Sequence, residues 1–251
     1  MKIASYGISN VGMKRGQNED NYLVNDDLQL YVVADGMGGH LGGEFASKMA
    51  VTTVEEVVQR LATPEATQIH GVNSEEASFG ERLRFAIKEA GRRIFDQALY
   101  DETLKGMGTT TVATLVHDGQ AYVANVGDSR GYFIRNNSIE QITEDHSLVG
   151  EQVKAGIISA HDAKGHRLKN IITRSVGYQE EVESDLWIKD LRPNDRILLC
   201  SDGLSNLVDD QEIHSIVTQN PLKEACEKLV GLANERGGDD NITIILLQVV
   251  E

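Results

Sequence analysis

Short apolar runs and apolar–polar alternation mark much of this chain as β-structure. Such runs fall at about residues 3–9, 21–25 and 28–34, then at about 109–117, 119–127, 131–136 and 138–143. They recur at about 171–176, 183–188, 195–201 and 241–249. Between the first two groups the period changes to three and four, which predicts two helices. The first, about Gly43 to Leu61, sets Phe45, Met49, Val54, Val57, Val58 and Leu61 on one side. The second, about Gly80 to Leu99, does the same with Leu83, Ile87, Ala90, Ile94 and Ala98. A last helix is predicted over about Pro221 to Asn234, with Leu222, Ala225, Leu229 and Leu232 on one face and Pro221 in its first turn. Strands cluster with strands and helices with helices, so the pattern predicts an α+β fold with largely antiparallel sheets. Polar residues 62–79 read as a helix–helix loop, and the polar, weakly periodic residues 144–168 as a flap or insertion within the strand groups.

A length of 251 residues suits one large domain or two small ones, with a core that needs no disulfide staples. No apolar stretch reaches the roughly 18 residues needed to span a bilayer, and Met1 to Asn10 lacks the apolar region of a signal peptide. Cys200 and Cys226 sit in apolar patterns and read as small core residues, which fits a reduced, cytoplasmic setting. The net charge of −15, from 24 basic and 39 acidic residues, argues against nucleic acid as a partner. It would also repel a phosphorylated substrate unless bound cations reverse the field locally.

The candidate chemistry lies where apolar runs meet aspartate. Tyr31 to Ala34 lead into Asp35-Gly36, Ile197 to Ser201 into Asp202-Gly203, and Tyr122 to Gly127 into Asp128. Asp239-Asp240-Asn241 immediately precedes the run Ile242 to Val250. Each segment alone reads equally as a turn or a helix cap. Together, carboxylates at strand ends with few basic neighbours predict convergence on one rim, where hard divalent cations would relieve their repulsion. Five glycines between Gly36 and Gly43 permit close approach of a ligand to the main chain, in a spacing that fits neither a dinucleotide fingerprint nor a Walker loop. Arg15 is placed to grip a phosphate, and Glu19 or Asp20 to reach the metals directly or through water.

Other schemes fail on residue identity. The residues six places after the cysteines are Asn206 and Leu232, where a cysteine phosphatase needs arginine. No Gly-x-Ser-x-Gly elbow or His-Glu-x-x-His zinc motif occurs. His40, His146, His161 and His166 read as surface histidines in loops.

In order along the chain stand Arg15-x-x-Asn18-Glu19-Asp20, Asp35-Gly36-Met37-Gly38-Gly39, Gly108-Thr109-Thr110, Gly127-Asp128-Ser129-Arg130, Thr143-Glu144-Asp145-His146-Ser147, Ser201-Asp202-Gly203-Leu204 and Asp239-Asp240-Asn241. Over essentially the whole chain this series resembles the metal-dependent Ser/Thr protein phosphatases of type 2C, in their short bacterial form. The resemblance implies one catalytic domain over 1–251 with a flap at about 144–174. It implies a four-layer α-β-β-α sandwich around two central, mainly antiparallel sheets, and Mn²⁺ or Mg²⁺ at one rim. By the family's pattern Asp35 bridges two ions, the Gly36 carbonyl joins one, and Asp202 and Asp240 hold the other. Asp128 matches a third, weaker ion's ligand, Asp20 (or Glu19) acts through water, and Arg15 binds phosphate. Met37 stands where animal members carry a histidine proposed to protonate the leaving group; here a metal-bound water could supply that proton instead. The implied activity is hydrolysis of phosphoserine and phosphothreonine in proteins, opposing a Ser/Thr kinase. A cytoplasmic monomer with no membrane insertion is expected. The alternatives are a non-catalytic phosphoprotein-binding module, which loss of core aspartates would mark, and a hydrolase of small phosphoesters.

Overall fold

The computed structural model describes residues 1–38, 41–62, 78–159, 162–163 and 165–250. Within them, antiparallel pairing builds two sheets. The first has the order β1 (Ile3–Asn10), β11 (Ile242–Val249), β10 (Arg196–Cys200), β7 (Arg130–Arg135), β8 (Ser138–Gln141). The second runs β2 (Asp20–Asn25), β3 (Leu30–Met37), β5 (Thr111–His117), β6 (Gln120–Val126), β9 (Asp185–Asp190), with the short β4 (Gly108–Thr109) also paired to β3. Helices α1 (Gly42–Leu61) and α2 (Phe79–Tyr100) cover the second sheet. Helix α3 (Leu148–Lys154) and the single turn α4 (Asp202–Ser205) follow in chain order. Helices α5 (Asp210–Gln219) and α6 (Leu222–Glu235) cover the first sheet.

The layering follows from the two-residue period of a strand. In β3, Leu30, Val32 and Ala34 face α1 and α2, while Tyr31 and Val33 face the other sheet. In β11, Ile242, Ile244 and Leu246 face α5 and α6, while Ile245, Leu247 and Val249 point inward between the sheets. Both faces of these strands are covered, which is why they are continuous apolar runs rather than alternating ones. Three cores separated by two sheets give the expected four-layer α-β-β-α order. Cys200 and Cys226 are both buried free thiols, as their apolar surroundings suggest. Among the described residues no helix is long and apolar enough to cross a membrane.

Several local expectations need correction. Residues 171–176 do not form a strand. They make only isolated bridges, Ser147 to Ile172 and Thr109 to Val176, because the chain there closes the base of the 144–174 segment instead of joining a sheet. Strand β3 does not end before Asp35 but continues to Met37, held by β2 on one side and by β4 beyond it. Pro221 is the residue before α6 rather than in its first turn. Helix α5 escaped the periodicity reading because it buries only Ile213 and Val217, although Asp209 and Glu212 form a capping box that marks its start. Most of the supposed helix–helix loop, residues 63–77, lies outside the described residues.

Leu199 is fully buried between the sheets. Leu199→Ala should therefore cost about 2–5 kcal/mol, read from the urea midpoint; a cost below about 0.5 kcal/mol, the range of surface substitutions, would remove it from the core.

Candidate metal centre

The two sheets bring distant carboxylates to a single rim. Asp20 and Asp35 are direct cross-strand partners on β2 and β3 of the second sheet. Asp202 follows β10 and Asp240 precedes β11, both in the first sheet. Asp128 lies between β6 and β7, which belong to different sheets, so its turn is a crossing from one layer to the other and not a hairpin. Arg15, Glu19, Asp35, Gly36, Asp128, Asp202 and Asp240 line one cavity of about 570 Å³. Asp20 is the one candidate outside that lining; it sits buried directly behind, against Asp35.

The surroundings of each group show how it is held. Ser201 Oγ and Thr243 Oγ1 donate to Asp20 Oδ2 at 2.8 and 2.6 Å, leaving Asp20 Oδ1 buried with no partner. Asn206 Nδ2 donates to Asp202 Oδ2 at 2.9 Å, and Asp202 Oδ1 is likewise buried and unpartnered. Main-chain bonds fix Asp35: its N–H donates to Thr110 Oγ1 at 3.0 Å, and its carbonyl accepts from Thr110 N–H and Thr109 Oγ1 at 2.8 Å each. Gly36 must be glycine, since a Cβ there would lie 2.0 Å from the Gly43 carbonyl oxygen. Arg15 Nη2 donates to Asp240 Oδ2 at 2.7 Å, in a half-exposed pair. Asn241 braces the entry loop: its amide donates to the Val11 and Gln17 carbonyls and its oxygen accepts from Glu19 N–H. The Glu19 carboxylate packs against Gly43 at the start of α1.

Burial and mutual repulsion disturb these acids strongly. Burial, with opposition from Asp202 and Asp240, pushes Asp20 up to about 7 despite its two hydroxyl donors. Burial and Asp240 push Asp202 up to about 6. Asp35 is raised well above its ordinary value by burial and by Asp20, Asp202, Asp128 and Asp240. Asp128 is raised by burial, Asp202 and Asp145.

Two orphaned carboxylate oxygens and an all-oxygen donor set fit a hard divalent cation. Among the described residues no group of three or more His, Cys, Asp or Glu side chains is found that could hold an ion by itself. The oxygen donors present are of the kind that Mg²⁺ and Mn²⁺ prefer.

Some participants carry little sequence signal. Ser201 and Thr243 are fully buried polar residues beside or within apolar runs, and nothing local in the sequence marks them as partners of Asp20. His146 is not a surface residue: it is 6% exposed, and burial pushes its pKa down. His166 is in the described structure, whereas His40 and His161 lie outside it. A second cavity of about 550 Å³, walled partly by the 144–174 segment, shares Asp128 and Asp202 with the first.

A family model described as protein phosphatase 2C matches residues 14–246. The chain is 41% identical over 241 residues to the serine/threonine phosphatase stp of Listeria welshimeri, covering 94% of this chain and 92% of that protein. The fold matches serine/threonine phosphatase Stp1 from Staphylococcus aureus with a TM-score of 0.88 and 35% identity, over 100% of this chain and 96% of that one. It matches the catalytic domain of the serine/threonine protein phosphatase PstP, crystallised with two manganese ions, with a TM-score of 0.86 and 31% identity over 99% of each chain.

The raised carboxylates make stability depend on pH. Between the ordinary aspartate value of 3.8 and about 7, the folded cluster holds protons that the unfolded chain releases. Stability of the metal-free protein from this source is present at low pH and falls as pH rises through that window. In EDTA, the urea midpoint should drop from pH 5.5 to pH 8 by more in the wild type than in Asp35→Asn; equal slopes would disconnect the cluster from stability.

Proposed function

From the premise that the chain belongs to the protein phosphatase 2C family, we propose how its residues divide the work of metal-dependent hydrolysis of phosphoserine and phosphothreonine in proteins. The carrying observation is the convergence of Asp20, Asp35, Asp128, Asp202 and Asp240 from both sheets, with Arg15 at the same cavity.

Asp35 and the Gly36 carbonyl would hold one ion. Asp202 and Asp240, with Asp35 between, would hold the second, and Asp128 would help hold a weaker third. When bound, the divalent cations supply a hydrolytic water of lowered pKa and positive charge against the phosphoryl oxygens. Asp20 is aimed by Ser201 and Thr243, and its free Oδ1 would accept from a water of the hydrated ions. Arg15 spends one donor on Asp240 and presents the rest of its guanidinium to the phosphate, orienting it and offsetting charge on its oxygens. Glu19 lines the same cavity beside the start of α1, from where it would reach the ions directly or through water. No histidine follows Asp35-Gly36; Met37 occupies that place and lines the cavity without a proton to give. The 144–174 segment, zipped at its base by Leu148 N–H to the Ile171 carbonyl and Thr173 N–H to the His146 carbonyl, would act as a flap beside the bound phosphoprotein.

We further propose that the chain works as a cytoplasmic monomer, with a Ser/Thr kinase and that kinase's targets among its substrates. Support comes from the buried free thiols and the family's general role in opposing kinases.

With Mn²⁺, the protein should release phosphate from a phosphothreonine peptide faster than from a nucleotide. EDTA should abolish release, and thiol alkylation should leave it intact. Asp35→Asn and Asp202→Asn should each lower kcat at least about 100-fold, the scale of losing one electrostatic contact to the transition state; wild-type turnover in either would overturn the ligand assignment. Arg15→Ala should raise KM for small phosphoesters about tenfold, with a smaller change in kcat; an unchanged KM would remove its phosphate role.

A further inference from the structure

His146 lies outside the carboxylate cluster, and nothing above gives it a task. Its placement is nonetheless specific. Gly127 N–H donates to His146 Nδ1 at 3.0 Å, so the ring proton sits on Nε2, which donates to Asp185 Oδ2 at 3.1 Å. Gly127 is gripped from its other side too: its carbonyl accepts from His146 N–H at 2.9 Å and from Asn125 Nδ2 at 3.1 Å. Gly127, the residue immediately before Asp128, is thus held at both its N–H and its carbonyl. Gly127 has φ +109°, and a Cβ there would lie 2.6 Å from Thr110, so the turn requires glycine at this place. Thr110 Oγ1 in turn accepts from Asp35 N–H and shares a 2.7 Å hydrogen bond with Ser129.

The same histidine stands at the base of the 144–174 segment. Its carbonyl accepts from Thr173 N–H at 2.9 Å, and the neighbouring Ser147 bridges Ile172. Arg174, where the segment leaves, donates to Asp185 Oδ1 at 2.9 Å, opposite the oxygen that His146 holds. One residue therefore joins the base of the segment, through its carbonyl, to Asp185 and the turn that carries Asp128, through its ring.

We infer that His146 is a positioning residue that sets Asp128 for cation binding, through the bond between Gly127 N–H and its Nδ1. The inference rests on the assignment of Asp128 as a cation ligand. It also makes the 144–174 segment and the Asp128 turn a mechanical unit: displacing the base of one displaces the other.

Three substitutions separate the two ends of the ring. His146→Asn puts an amide oxygen where Nδ1 stood and keeps the acceptor for Gly127. His146→Gln reaches toward Asp185 but leaves Gly127 N–H without its partner. His146→Ala loses both. Full-length proteins stripped with EDTA are titrated with Mn²⁺ by calorimetry, with urea midpoints measured in parallel. The weakest Mn²⁺ should bind about 10- to 100-fold less tightly in His146→Ala and His146→Gln. It should bind near wild-type strength in His146→Asn, in an order that does not follow the urea midpoints. The inference is overturned if His146→Asn binds as poorly as His146→Gln, or if His146→Gln binds as the wild type does. Should His146→Ala not fold, the Asn and Gln pair decides; failure of all three to fold would also overturn it, because the ring would then be a general structural need. Asp128→Asn distinguishes the two levels. If it leaves Mn²⁺ binding unchanged, the ligand assignment falls and this inference with it. If it weakens binding while His146→Gln does not, the positioning role alone is lost.

Discussion

Repulsion among buried like charges is the constraint around which this molecule is arranged. Two negative charges about 4 Å apart oppose each other by about 4 kcal/mol at an effective dielectric of about 20. Asp20 and Asp128 are buried and Asp35 and Asp202 half-buried, each in the field of at least one other rim acid. Asp20 and Asp35 are held on paired strands, and Asp128 and Asp202 follow the packed strands β6 and β10, so the packing of both sheets keeps them together. Apolar burial on both sides of both sheets, in three separate cores, supplies the stabilisation that keeps such acids together. Function and fold are thereby opposed at the rim and reconciled only when positive charge enters.

The hydroxyl and amide groups around the rim decide which oxygen faces where. Ser201 and Thr243 take one oxygen of Asp20 and leave the other free, and Asn206 does the same for Asp202. Asn241 ties three separate backbone points of the entry loop to the residue beside Asp240. These groups transfer no proton and carry no charge, yet they turn a set of acids into directed donors. That is the difference between an acidic surface and a site.

What could be read from the chain, and what could not, divides along physical lines. The layers and most strands could be read, since Tyr31 to Ala34 and Ile197 to Cys200 are unbroken apolar runs, and Ile242 to Val249 is broken only by Thr243 and Gln248, a pattern that two-sided burial explains. The rim carboxylates could be found because each stands beside such a run. Helix α5 was missed because a short amphipathic stretch with two buried anchors gives too little periodic signal. The stretch 171–176 looked like a strand because apolar alternation records burial, and here burial comes from closing a loop base. His146 was assigned to the surface because polarity in a loop implies exposure unless a partner is visible, and its partners, Gly127 and Asp185, are 19 and 39 residues away. Roles that depend on hydrogen-bond direction between remote segments leave no local trace.

The order in which the rim groups occur has a consequence during synthesis. Asp20 and Asp35 belong to the earliest strands, but Asp202 and Asp240 come after residue 200, and β11 must slot between β1 and β10 to seat them. A nascent chain still short of that point on the ribosome lacks two of the rim carboxylates and has a vacant place in the middle of a sheet. The rim is therefore whole only once the closing strand is seated between its two neighbours.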